Sequence, residues 1–329
     1  MTDPLWITEA EVVEALSLPE AIEALQNCLA LEAAGTARNM PKTHQIWGGH
    51  HTLHAIGAVV EGASTVGTKT WAHTAGGATP LVTLWNSDSG RLEAIIEAFA
   101  LGQMRTGGIS GVATARMAKK HADDLAIIGT GKQAITQVVA VAAVRPLKRI
   151  RVFSPTPENR RSFLAKLEKL FPTTTLVDAA SVEEAVKDAP IVTLVTRARS
   201  PILSAQMMAP GAHLNAVGAI TPEREEFTQD VFERTSLIAV DAVDSVKSLS
   251  AEFRKRFGAG DWSSVRPLSQ LVAAKSERPA GADITLFKAM GMGLSDLALG
   301  IEILKRVRAK GGGRTIPHPK PAQPRLLRS

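Results

Sequence analysis

Three groupings in this chain have residue types and spacings that could do chemistry. Gly129-Thr130-Gly131-Lys132-Gln133-Ala134 lies between a short apolar run at 125–128 and a longer one at 135–144. That is G-x-G-x-x-A between a strand and a helix. The first glycine permits the tight turn, the second lets a pyrophosphate approach the backbone, and the third small residue packs helix on strand. The phosphates would rest on the helix N-terminus. Arg105 heads a small-residue-rich, helix-compatible stretch at 105–119, where guanidinium and helix N-terminus would both attract an anion. Five of the eight histidines, His44, His50, His51, His54 and His73, fall within residues 40–90. Their spacing is not HExxH and no nearby Cys or Asp completes a ligand set, so surface or pocket histidines are expected rather than a metal site.

What is missing narrows the chemistry. With no tyrosine, no phenol can donate a proton, which excludes a Tyr-Lys carbonyl reductase. The single cysteine, Cys28, forms neither an internal disulfide nor a multi-cysteine zinc site. It lies on a helical stripe with Ile22, Leu25 and Leu29 and reads as a small core residue. At 4% aromatic residues, a base-stacking platform for nucleic acid is not expected. The formal charge of +6 points the same way once located: Lys310, Arg314, Lys320, Arg325 and Arg328 supply five, leaving +1 for residues 1–309. A Gly/Pro-rich basic tail at 310–329 is therefore expected to stay unfolded.

The elements that must hold these groups follow from patterning. Thr8/Glu11 and Ser17/Glu20 have capping-box spacing, so the chain opens with helices, and Gly35 is a plausible stop. Residues 40–90, with β-branched runs at 66–70 and 81–84, read as a sheet with long loops. From residue 121, strands at 125–128, 149–153, 174–177, 191–196, 213–217 and 237–243 alternate with helical segments. Such alternation implies an α/β domain with a doubly wound parallel sheet over about 121–285. A final helix is expected over 285–308, crossing back to the first domain. The chain start shows no basic n-region followed by an apolar one, and no stretch approaches 18 uncharged apolar residues. A cytoplasmic enzyme without a membrane span is expected.

At the end of the second strand, where an acid would grip the ribose of NAD, stand Ser154-Pro155-Thr156, with Arg160 and Arg161 beyond. Hydroxyls and arginines suit a 2′-phosphate, which favours NADP slightly over NAD.

Taken together, Gly67-Thr-Lys69, the run 104–111 (MRTGGISG), 126–133 (AIIGTGKQ), 211–218 (GAHLNAVG) and 285–296 (TLFKAMGMGLSD) resemble the ornithine cyclodeaminase/mu-crystallin family, over about residues 5–308. The resemblance implies NAD(P)-dependent enzymes: cyclodeaminases, alanine dehydrogenases and ketimine or cyclic-imine reductases. It implies a homodimer built through an N-terminal α+β domain, 1–120, with a small imino- or amino-acid substrate held between it and the Rossmann domain. It places the substrate carboxylate on Lys69, Arg105 and Thr106, pyrophosphate on Gly129–Gln133, and nicotinamide near Val217 and Gly218. The family's earlier substrate arginine falls at Thr43, where neighbouring Lys42 is the substitute. Cyclodeaminases carry an acid just after the V-G-x motif; here that residue is Ile220.

The leading expectation is thus an NAD(P)H-dependent imine reductase or amino-acid dehydrogenase, with Lys69, His73 and His54 as candidate proton donors. A cyclodeaminase that recycles bound NAD and a non-catalytic NADPH-binding protein are the alternatives.

Overall fold

The computed structural model describes residues 3–49 and 51–326. Its first part runs β1 (Leu5–Ile7), α1 (Glu9–Ala15), α2 (Leu18–Ala33), β2 (Ala37–Asn39), β3 (Thr43–Trp47), β4 (His51–Val60), β5 (Thr65–Thr74), β6 (Gly77–Ala78), β7 (Leu81–Asn86), β8 (Leu92–Glu97) and α3 (Phe99–Met117). The second runs β9 (Asp124–Ile128), α4 (Ala134–Ala142), β10 (Arg149–Phe153), α5 (Pro157–Leu170), β11 (Thr175–Asp178), α6 (Val182–Val186), β12 (Ile191–Leu194) and β13 (His213–Ala216). It continues through α7 (Asp230–Arg234), β14 (Thr235–Val240), α8 (Val243–Leu249), α9 (Ala251–Phe257), β15 (Val265–Pro267), α10 (Leu268–Ala273), β16 (Ile284–Lys288), α11 (Gly293–Ala309) and β17 (Arg314–Thr315).

Both expected capping boxes form: Thr8 with Glu11, and Ser17 with Glu20, each return a side-chain oxygen to the cap backbone. The stripe Ile22, Leu25, Cys28 and Leu29 of α2 is buried. Burial pushes the Cys28 thiol up to about 12, so it stays protonated and acts as a small apolar side chain.

The first sheet has the order β17-β1-β8-β7-β5-β4-β2, with β3 on β4 and β6 on β5. It is antiparallel apart from the parallel β1–β8 pair. The second sheet is parallel throughout, with order β11-β10-β9-β12-β13-β16-β14-β15. Strand order reverses between β9 and β12, which opens a crevice beyond their carboxyl ends. Side chains alternate across this sheet. Leu125 and Ile127 face a core shared with α4 and α5, and Ala126 and Ile128 face a second core on the opposite side.

Residues 285–308 are not one helix. Ile284–Lys288 is β16, a central strand buried on both faces, and only Gly293–Ala309 is helical. The apolar, β-branched run suits a strand enclosed between layers. Gly291, at φ +83°, makes the turn that separates it from α11. As expected, α11 returns to the first domain, sharing a core with α2, α3, β4 and β7. The tail expected to stay unfolded from residue 310 is structured as far as residue 316, whereas 317–326 carry no helix or strand. Arg314–Thr315 pairs antiparallel with β1, the Gly313 N–H donates to Glu11, and the Ile316 N–H donates to the Pro4 carbonyl. The pairing completes an edge strand, and the Arg314 guanidinium lies 5.9 Å from the Trp6 ring centroid. No helix among the described residues is long and apolar enough to cross a membrane.

The seat of α11 is tight. A Cβ at Gly293 would lie 2.1 Å from the Gly57 carbonyl oxygen and 2.3 Å from its carbon, so helix backbone rests directly on β4. Gly293→Ala is expected to lower unfolding free energy by about 1–3 kcal/mol through overpacking, read as a lower denaturant midpoint at unchanged m-value.

Candidate active site

Strand alternation puts Lys69, Trp71 and His73 on one face of β5, beside Ile56, His54 and Thr52 of β4. α3 and α11 close over the Lys69 end of that face. Lys69 Nζ lies 2.6 Å from Asp296 Oδ1, and Arg105 Nε lies 3.3 Å from the same oxygen. Asp296, in the first turn of α11, is fully buried, and Lys69 is 4% exposed. Arg105 lies in the second turn of α3, not at its head as expected, because the helix begins at Phe99. Its Nε stands at ion-pair distance from Asp296 without a hydrogen bond, and no protein acceptor among the described residues is hydrogen-bonded to its terminal nitrogens. The guanidinium fork is thus free for a carboxylate.

Sequence reading assigned no role to Asp296 or Asp241. Asp241, at the end of β14, is buried and accepts from the Met290 N–H at 2.9 Å and the Gly291 N–H at 2.7 Å. Burial pushes its carboxyl above the usual range, opposed by those N–H groups and by Arg105. It fixes the turn against which Arg105 packs, where a Cβ on Gly291 would sit 3.1 Å from Arg105 Nη1. Asn39 caps α11, its Oδ1 accepting from the Leu294 N–H at 2.9 Å. The signal for Asp296 is an acid in a helix whose first two turns are otherwise uncharged and buried.

Burial pulls the Lys69 ammonium down to about 8; Arg105 pulls the same way, and Asp296 opposes both. Lys42 is also lowered, first by burial and then by Arg105, while Asp241 and Asp296 raise it; it therefore shares the field of this site. His54 is sandwiched between Trp71 (centroids 4.6 Å apart, 13° between planes) and His44 (5.7 Å, 22°), with Nε2 2.8 Å from the Thr52 hydroxyl. Burial, with Lys42, His44 and His73 nearby, takes it down to about 4, so at neutral pH it is an uncharged ring. His73 is exposed and lies beyond Trp71 from Lys69. Thr106 donates its hydroxyl to the Gly102 carbonyl, and its own carbonyl accepts from Gln137, tying α3 to α4. His50 lies outside the described residues. Among the described residues, no three His, Cys, Asp or Glu side chains are grouped as a metal ion would need.

A second set of residues lines the crevice of the parallel sheet. Gly129 has φ +111°, and a Cβ there would lie 2.6 Å from the Val195 carbonyl oxygen. Gly131 faces open space, with nothing within 4 Å of its Cβ position. Together with the α4 N-terminus after Gln133, this is a cradle that a dinucleotide pyrophosphate fits. Thr130 and Lys132 complete the loop, with Lys132 Nζ 5.7 Å from the Phe99 ring centroid. Ser154 is buried and Thr156 is the exposed N-cap of α5. Arg160 donates to the Ser154 carbonyl at 2.6 Å and pairs with Asp178 at 2.5 Å. Asp178, at the end of β11, thus stands beside Arg160. Val217 and Gly218 follow β13 at the same edge of the sheet.

Fold and site together define a two-part α/β protein with a glycine-rich turn after the first strand of its parallel sheet and a buried cluster of two cations on Asp296. The chain belongs to the ornithine cyclodeaminase/mu-crystallin family, whose family model matches residues 3–311. It is an NAD(P)-dependent oxidoreductase of the kind that acts on carbon–nitrogen bonds. It is 28% identical over 240 residues to a Delta(1)-pyrroline-2-carboxylate reductase of Bacillus cereus, covering 72% of this chain and 73% of that one. Among solved structures it is similar to the Thermococcus litoralis Delta(1)-pyrroline-2-carboxylate reductase in complex with NADH and L-proline. The TM-score is 0.88 at 24% identity, covering 95% of this chain and 100% of that one. An archaeal alanine dehydrogenase dimer with bound NAD matches with TM-score 0.87 at 23% identity, covering 96% and 99%.

The low-lying Lys69 sets a pH expectation. Its ammonium is present below about pH 7 and is lost as pH rises through about 8, well below an ordinary lysine. Reductive methylation of Lys69, followed by mass spectrometry across pH, is expected to show a midpoint near 8. In Asp296→Asn, which removes the charge that raises it, the midpoint is expected to move lower. A midpoint above 10 would contradict the burial argument.

Proposed function

We propose that the protein reduces a small 2-imino acid to the corresponding amino acid with NADH or NADPH. The observation that carries this reading is the Arg105 guanidinium, ion-paired with buried Asp296 beside Lys69 and with no protein hydrogen bond to its terminal nitrogens among the described residues. That arrangement suits a carboxylate held at two points with a second cation alongside. A reduced nicotinamide, when bound, supplies the hydride that adds to the imine carbon. The protein holds the carboxylate on Arg105 and Lys69, with Lys42 and Thr106 at the margin, so that the imine carbon is fixed in place. Lys69 holds a proton on Nζ near neutral pH and can pass it to the imine nitrogen. His54, uncharged at that pH, and exposed His73 are weaker candidates for the donor.

Gly129–Gln133 would hold the pyrophosphate, and Val217 and Gly218 would flank the nicotinamide. Ser154, Thr156 and Arg160 would meet the adenosine ribose; a 2′-phosphate there would compete with Asp178 for Arg160. We infer a homodimer through the first sheet, supported by the exposed Ile46, Trp47 and Leu53 of β3 and β4. Ile220, partly buried against the second core, supplies no acid for ammonia elimination.

Purified protein is expected to oxidise NADH or NADPH with pyruvate plus methylamine, or with a cyclic 2-imino acid. Ammonia and proline formed from ornithine without net cofactor change would favour the cyclodeaminase reading instead. Tight NADPH binding without turnover across the panel would leave a binding protein. Arg105→Ala is expected to raise KM for the imino acid at least about tenfold, since a charge-assisted pair contributes roughly 1.5–3 kcal/mol. Ser154→Asp is expected to weaken NADPH more than NADH; the reverse order would displace the ribose site from β10.

A further inference from the structure

The loops that follow β12 and β13 are tied together from behind by a cluster of buried charges that the substrate site does not use. Glu226 is fully buried. Its Oε1 accepts from the Thr196 N–H at 2.7 Å and the Thr196 hydroxyl at 2.8 Å. Its Oε2 accepts from the Gly218 N–H at 2.8 Å and the Ala219 N–H at 3.0 Å. The same turn is gripped from its other side by Lys288, also fully buried, whose Nζ donates to the Ala219 carbonyl at 2.7 Å. Glu252 closes the cluster: it accepts from the Glu226 N–H at 3.1 Å and the Ser250 hydroxyl at 2.8 Å, and lies 3.6 Å from Lys288 Nζ.

The fit around Gly218 leaves no slack. A Cβ there would lie 2.2 Å from the Thr196 carbonyl oxygen, 2.3 Å from the Thr196 nitrogen and 2.4 Å from Glu226 Oε1. The glycine is thus required by the Thr196 backbone, with the Glu226 carboxylate next to it. Ion pairs buried this deeply add little stability over well-packed apolar residues. What they do supply is direction. Four donors aimed at one carboxylate fix two separate loops at one spacing, which apolar packing does not do.

We propose that Glu226, braced by Lys288 and Glu252, is a positioning residue for the nicotinamide end of the cofactor. It holds the backbone of Thr196 and of Gly218–Ala219 at the separation the ring requires. This rests on the reading that a dinucleotide binds across the crevice with its nicotinamide beside Val217 and Gly218.

The test uses the full chain and two ligands: NADH, and ADP-ribose, which lacks the nicotinamide. Wild type is measured first; failure to bind either ligand would overturn the dinucleotide reading and this proposal with it. Glu226→Gln keeps the size but turns an NH2 toward the Gly218 and Ala219 donors. The variant is expected to bind NADH about tenfold or more weakly, with ADP-ribose binding within about twofold of wild type. Amide exchange at Gly218 and Ala219 is expected to quicken in the ligand-free protein. Equal weakening of both ligands, or unchanged NADH affinity, would overturn the positioning role while leaving the dinucleotide reading intact. If Glu226→Gln does not fold, Glu252→Gln carries the test. It keeps the acceptor for the Glu226 N–H but loses the charge facing Lys288, and the same selective loss, about threefold, is expected. No selectivity between the two ligands in that variant overturns the proposal.

Discussion

The site depends on one carboxylate oxygen. Asp296 Oδ1 stands between Lys69 and Arg105, two cations that would otherwise repel each other in a region from which water is largely excluded. Lys69 and Asp296 are 227 positions apart in sequence, so the pair exists only when α11 has crossed back from the parallel sheet and seated on β4 and β5. Everything that seats α11 therefore acts on the substrate site: the contact of Gly293 with Gly57, the Asn39 cap, and the apolar core shared with α2. Asp296 also makes the cations specific rather than merely attractive. It accepts a hydrogen bond from Lys69 and forms an ion pair with Arg105, whose terminal nitrogens bind no protein acceptor among the described residues.

The short list of acids and bases in the pocket is as informative as the ions. No tyrosine exists in the chain, Cys28 is buried and protonated, and Ile220, just past the turn after β13, carries no acid. His54 is a flat, uncharged ring in a stack with His44 and Trp71, so it shapes the pocket wall more than it moves protons. Lys69, paired with Asp296 beside Arg105, is pulled down to about 8 and so changes protonation near neutral pH. The influences on it do not cancel: burial and Arg105 loosen its proton more than Asp296 retains it.

Local signals were readable where local physics decides the structure. Capping boxes, the G-x-G-x-x-A turn, the parallel strands and the Ile22–Leu29 stripe all formed, because each depends on neighbours within a few residues or on simple periodicity. The run at 285–288 was misread as helix. Its residues suit either state, and only its place between β13 and β14 in the sheet makes it a strand. Arg314–Thr315 was misread as unfolded because glycine-rich composition carries no sign that β1 has an open edge. Asp296, Asp241, Asp178 and Glu226 were invisible as functional groups for one shared reason. Each acts on a partner distant in sequence or on a backbone N–H whose direction only the fold supplies.

The segment 288–296 links these separate features. Lys288 ends β16 and holds the Ala219 carbonyl; Met290 and Gly291 donate to Asp241 beside Arg105; Asp296 pairs with Lys69. One short run of chain thus touches the turn after β13 at one end and the anion-binding cations at the other. Its shape is held by Asp241 in the middle, by the Gly291 turn and by the Asn39 cap on Leu294. Hydride transfer between two bound groups demands a fixed distance between their sites more than it demands tight binding at either. A connector pinned at both ends and at its centre by buried charges meets that demand. It also explains why ionic side chains, unfavourable as simple packing, occupy the interior on both sides of the crevice.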